Sequence, residues 1–82
     1  MLDTEKLLSR ITINSRVMVG KPTIRGLRIT VEQILLALAG GITVQELLEE
    51  YPELEQEDLW AVFAYVSKLV EEERVYPVKI SA

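Results

Sequence analysis

Four cations in one short stretch are the side chains of this protein best placed to do chemistry: Arg16, Lys21, Arg25 and Arg28. Groups of this kind bind carboxylates or phosphates, the ammonium as a point charge and the guanidinium as a two-pronged donor. No acidic residue stands between Lys6 and Val31, so the positive charge is local. Residues 1–31 carry six basic and two acidic side chains, a balance of +4; residues 32–82 carry three basic and eleven acidic ones, a balance of −8; the sum is the formal net charge of −4. A chain of net negative charge is a poor non-specific ligand for nucleic acid, yet its basic first third can meet an anionic partner. Two readings of the four cations stand side by side. They contact a partner, or they pair with carboxylates of the acidic part across the fold or across a dimer.

Covalent chemistry has little support, because histidine and cysteine are absent and no nucleophile and base stand out as a pair. Glu49, Glu50 and Glu53, or Glu55, Glu57 and Asp58, have the composition of a Mg²⁺ site, but a solvated acidic surface is the preferred reading. The run Gly20-Lys21-Pro22-Thr23 lacks the upstream glycine spacing of a phosphate loop and inserts a proline before the threonine. We expect no enzyme, no catalytic residue, no metal and no cofactor.

The elements that must position the cations follow from local pattern. Gly20 and Gly26 mark places where the backbone needs a positive φ or a close approach, and Pro22 pushes Lys21 toward an extended conformation. Arg10-Ile11-Thr12-Ile13 alternates with period two, Asn14-Ser15 supplies turn chemistry, and Arg16-Val17-Met18-Val19 resumes the alternation, which predicts strand, turn and strand. Leu2 to Ser9 forms a short helix or a frayed arm. Thr30 is an N-cap for a helix with the apolar face Val31, Ile34, Leu35 and Leu38, closed by Gly40-Gly41. Thr43 and Glu46 have capping-box spacing ahead of Val44, Leu47, Leu48 and Tyr51, and Pro52 ends that second helix. A third helix starts after Leu54, with Glu55 at the N-cap, Asp58 as the reciprocal acid, and Leu54 and Leu59 as a hydrophobic staple. Its apolar face is read as Leu59, Val62, Phe63, Val66 and Val70. Trp60, Ala64 and Tyr65 supply a second face for a dimer or partner, or Trp60 covers the ribbon within one chain. The acids Glu71, Glu72 and Glu73 oppose the helix dipole at its far end, and Val75 to Ile80 has strand composition.

The expected fold is mainly α: a trihelical helix-turn-helix, homeodomain-like unit over 30–73, a β-ribbon arm over 10–29 before it, and an extended strand or tail over 74–82, in one domain of 1–82. Eighty-two residues bury a marginal core without disulfides, so a homodimer is expected. No apolar run is long enough for a membrane span, and Met1 to Ser9 lacks the apolar core of a secretory leader; the expected place is the cytoplasm. In such a unit the start of the third helix normally enters the DNA major groove. Here it presents Glu55, Gln56, Glu57 and Asp58, which repel phosphates, so the basic ribbon is the better candidate for DNA.

Gly20-Lys21-Pro22-Thr23-Ile24-Arg25-Gly26, Arg28-Ile29-Thr30-Val31, Ile34-Leu35, Gly41, Glu46-Leu47-Leu48, Tyr51-Pro52 and Leu54 together resemble the domain-of-unknown-function 433 family, from about Ile11 to Val66. Val19 stands where that family usually has glycine, and Leu27 where it usually has threonine. The resemblance implies a small dimeric helix-turn-helix domain. Some similar prokaryotic proteins are encoded beside PIN-like ribonuclease toxins and are regarded as VapB-type antitoxins, which often also bind their own operators. On that footing Arg25 or Arg28 would block the acidic metal site of a toxin. A DNA-binding regulator acting through the ribbon, or a dimerisation module, are the alternatives.

Overall fold

Side chains that satisfy the first amides of each helix set where the helices begin. Asp3 accepts from the amides of Glu5 and Lys6 at 3.0 and 3.3 Å and starts α1, Thr4–Leu8. Thr30 accepts from the Gln33 amide at 3.0 Å while the Gln33 side chain takes the Thr30 amide at 2.9 Å, and α2 runs over Val31–Ala39. Thr43 and Glu46 exchange the same two bonds at 3.1 and 3.0 Å at the head of α3, Val44–Glu50. Each such box satisfies two amides that the helix itself leaves without partners. The Glu46 carboxyl is held below its ordinary value by the Thr43 amide first and the Thr43 hydroxyl second. The long helix α4 covers Gln56–Glu72, and the Glu55 amide donates to the Asp58 carboxylate at 2.8 Å, as the reciprocal-acid expectation requires.

The computed structural model describes residues 2–72, mostly helical with a small antiparallel sheet. The expected strand over 74–82, and the helix end at Glu73, lie outside the described residues. The sheet pairs β1, Ile11–Thr12, with β2, Thr23–Ile24, in the register Ile11 to Ile24 and Thr12 to Thr23. Arg16 to Val19 is therefore not the second strand. It belongs to turns that end in a single tight turn at Met18–Gly20, where Met18 and Val19 hold φ of 49° and 57°. Gly20 and Gly26 take φ of 78° and 73°, the left-handed region expected of them.

After β2 the chain reverses tightly. The Leu27 amide donates to the Ile24 carbonyl at 2.7 Å across Arg25 and Gly26, both with positive φ, as in a type I′ turn. Thr23 then lies opposite Thr30, which delivers the chain into α2. The Thr12 and Thr23 hydroxyls meet at 3.0 Å, and the Gly26 amide donates to the Thr12 hydroxyl at 2.8 Å. A cross-strand threonine pair thus fixes the register and the turn at once.

One core joins these pieces: Ile24, Ile29, Val31, Ile34, Leu47, Leu54, Leu59 and Val62. Leu54 and Leu59, the expected staple, are both in it. On α4 the buried stripe is Asp58, Leu59, Ala61 and Val62, with Tyr65 and Val66 half-buried, whereas Phe63 and Val70 are exposed. The stripe is turned about the helix axis from the face read in the sequence, because Asp58 and Ala61 face inward where larger apolar residues were expected. Among the described residues no helix is long and apolar enough to cross a membrane.

Candidate binding cleft and the Asp58 clasp

Asp58 is wholly buried, and its carboxylate is the meeting point of four separate parts of the chain. Arg25 donates Nε to Oδ1 at 3.0 Å and Nη2 to Oδ2 at 2.9 Å, a two-pronged pair. Arg10 donates Nη1 to Oδ1 at 2.9 Å, and the Glu55 amide completes the set. Arg25 Nη2 also reaches the Glu53 carbonyl at 2.7 Å, and Arg10 Nη1 reaches Glu55 Oε1 at 2.8 Å. The β1 end, the β2 turn, the loop before α4 and the first turn of α4 are clasped together. Arg25 holds a φ of 46°, which costs about 1 kcal/mol for a residue with a Cβ. Its three hydrogen bonds offset that strain.

Burial pushes the Asp58 carboxyl up, but the Arg25 bond, the Glu55 amide and Arg10 together outweigh it and hold the group below its ordinary value. Both arginines are pushed up in turn, Arg10 first by its bond to Glu55 and Arg25 first by its bond to Asp58. The clasp is thus ionised and closed at neutral pH. Glu55 and Glu57 also lie toward these arginines, Glu57 at 3.9 Å from Arg10. Among the described residues no three acids are grouped to hold a metal ion.

The four cations expected to act together are divided by the fold. Arg25 takes the internal pairing. Arg16, Lys21 and Arg28 line one open cleft of about 500 Å³ with Met18, Val19, Thr30, Glu32 and Gln33. Lys21 bonds Glu32 at 2.7 Å, an exposed pair that holds neither partner strongly. Arg16 and Arg28 have no carboxylate within salt-bridge distance among the described residues. On α4, Trp60 is 38% exposed. Ala64 lies beside α1, in a hollow with Thr4, Leu8 and Lys68, while Tyr65 borders a separate apolar groove with Leu35, Leu36 and Leu69. Ala64 and Tyr65 therefore look onto different surroundings.

The family described as Protein of unknown function (DUF433) matches residues 11–66, from β1 into α4. The chain belongs to the DUF433 family. No curated protein and no solved structure matches it. In this DUF433 chain Arg25, Asp58 and all three cleft cations fall inside the matched residues, and Arg10 stands one position ahead of them. Sequence reasoning left Arg10 unassigned, and took Asp58 only as a capping acid. The one signal for their meeting was the charge contrast between the basic first third and the acids that open the last helix; nothing local links residues 48 positions apart.

Proposed function

We propose that this DUF433 protein is an antitoxin-like binding protein whose cleft of Arg16, Lys21 and Arg28 docks on the acidic metal site of a PIN-like ribonuclease. The reading rests on one observation: Arg16 and Arg28 stand on a shared cleft without carboxylate partners among the described residues, whereas Arg10 and Arg25 are engaged. Arg25 holds Asp58, so the part first given to Arg25 or Arg28 passes to Arg28 and Arg16. A nuclease that holds Mg²⁺ with several acids offers a cluster of carboxylates, and guanidinium groups set against it form charge-assisted bonds that exclude substrate phosphate. In this proposal α2, α3 and α4 form a trihelical helix-turn-helix unit that acts as scaffold, and exposed Trp60 and Phe63 on α4 supply apolar surface for a homodimer.

A DNA operator would call on the same three cations, and salt separates the two readings. Binding to phosphates weakens steeply as salt rises, while a protein complex with an apolar interface persists. The test is co-expression with the product of the neighbouring reading frame, followed by size-exclusion chromatography with light scattering. A stoichiometric complex that survives raised salt and is lost in the Arg16→Glu, Arg28→Glu double variant supports the proposal. A chain that elutes alone, or a complex indifferent to the charge reversal, refutes it.

A further inference from the structure

Val19 is 93% exposed, the most exposed large apolar side chain described, and it stands on the rim of the cationic cleft. Its backbone makes this position more unusual. Met18, Val19 and Gly20 are three successive left-handed residues, at φ of 49°, 57° and 78°. Gly20 takes that region freely, but a β-branched residue there is a steric outlier. The turn is locked by the Gly20 amide on the Val17 carbonyl and the Lys21 amide on the Met18 carbonyl, both at 3.1 Å. The Arg16 amide on the Asn14 side chain at 2.9 Å fixes the turn before it. The fold thus holds an unfavourable turn in which Met18 is half-buried but the branched Val19 side chain gains almost no burial and stands exposed on the cleft that Arg16, Lys21 and Arg28 also line. A strained position whose own side chain gains no burial is the pattern of a contact site.

We infer that Val19 is the apolar anchor of this cleft, and that the partner surface is a protein patch with a small apolar pocket rimmed by carboxylates. The inference rests on the proposed contact role of the cleft and adds the chemistry of its occupant. Three cations around a valine match acids around a pocket: the centre loses water and the rim pairs charges. A nucleic acid fits less well. The molecule as a whole carries −4 and repels a long polyanion, and among the described residues the cleft contains the Glu32 carboxylate and no aromatic ring on which a base could stack. A few carboxylates on a protein need only the local match.

The test uses the ¹⁵N-labelled chain and three probes: the peptide Glu-Asp-Glu-Leu-Leu-Asp-Glu-Glu, the same peptide with both leucines replaced by serine, and oligothymidylate. Amide shifts are followed on titration. The leucine peptide is expected to move the amides of Arg16, Val19, Lys21 and Arg28 and to bind roughly tenfold more tightly than the serine peptide, the size expected for burying most of one valine side chain. Val19→Asn, which suits the left-handed region, abolishes that difference. Val19→Gly also abolishes it, while raising Tm by roughly 2 to 8 °C through relief of strain. Opposite signs on stability and on binding mark a contact residue, since a structural one would lose both together. Equal binding of the two peptides, no binding of either, shifts elsewhere on the chain, or tighter binding of oligothymidylate overturns the inference. Failure of the antitoxin reading looks different: the leucine peptide binds at Val19 but the neighbouring gene product does not. A complex with that product that is indifferent to Val19→Asn removes the anchor and leaves the antitoxin reading standing.

Discussion

Removing both arginines from Asp58 is the sharpest test of how this small domain holds together. In Arg10→Ala, Arg25→Ala the carboxylate keeps one of its four hydrogen bonds, the Glu55 amide, at a position that is wholly buried in the native chain. The arginines themselves are part-exposed, at 27% and 35% of the side chain, so their own loss of pairing is largely made good by water. The unpaired buried carboxylate is not, and breaking such a pair costs about 3 to 5 kcal/mol. A chain of 82 residues has about 4 to 12 kcal/mol in total at ordinary stability per residue, so the double variant stands close to unfolding. Urea titration read by Trp60 fluorescence and far-ultraviolet circular dichroism measures it. The acid limb gives a second readout that is steeper in the native chain than in the double variant. In the native chain Asp58 lies below its unfolded value of 3.8, so its stabilisation is complete above that pH and is lost as pH falls through the lower folded value. In the double variant only the Glu55 amide still opposes burial, so the folded value moves up from its native position and less stability is lost on acidification. Adding Asp58→Leu removes the orphaned charge and recovers much of the loss. A double variant destabilised by less than about 1 kcal/mol, with an acid limb like that of the native chain, refutes the clasp as a stabilising unit.

Two further outcomes follow from local geometry. Thr30→Ala and Thr43→Ala each remove the side-chain half of a capping box and are expected to cost about 1 kcal/mol, measured by urea midpoint at unchanged slope. The loss is greater at Thr30, which is buried, than at Thr43, which is exposed. Ile34→Ala and Leu36→Ala compare neighbours on α2: Ile34 has no exposure and its truncation costs about 2 to 5 kcal/mol, whereas Leu36 is 66% exposed and its truncation changes the stability of the isolated chain by about 0.5 kcal/mol or less.

What could be read in the sequence was what neighbours decide. Thr30, Thr43 with Glu46, Gly40-Gly41 and the Glu55 to Asp58 spacing each act within four residues, and each marks a helix end where the structure has one. The strand pairing was misread because β1 chooses β2, eleven residues away, over the closer Arg16 to Val19 run. The alternation of that run is only four residues long, and its branched Val19 argues against the left-handed turn it adopts. The face of α4 was misjudged because apolar spacing favours Phe63 and Val70, while the inward position goes to Asp58, a charge made welcome by two arginines from other parts of the chain. In the site, local charge density pointed to Arg16, Lys21 and Arg28; the diversion of Arg25 into the clasp depends on a partner 33 positions away.

The clasp also has a consequence for how fast the chain folds and comes apart. Its bonds span 48 and 33 residues, so they close only when β1, the β2 turn and the start of α4 have already been brought together. The caps of α2 and α3, by contrast, depend on contacts only three residues long. Interactions that appear after the rate-limiting barrier leave the folding rate nearly unchanged and act on unfolding alone. A clasp that closes after that barrier acts as a latch on the exit, setting how long one native molecule survives before it opens. Arg25→Ala is then expected to speed unfolding and leave the folding rate unchanged in stopped-flow chevrons, and a slowed folding limb places the clasp in the nucleus instead.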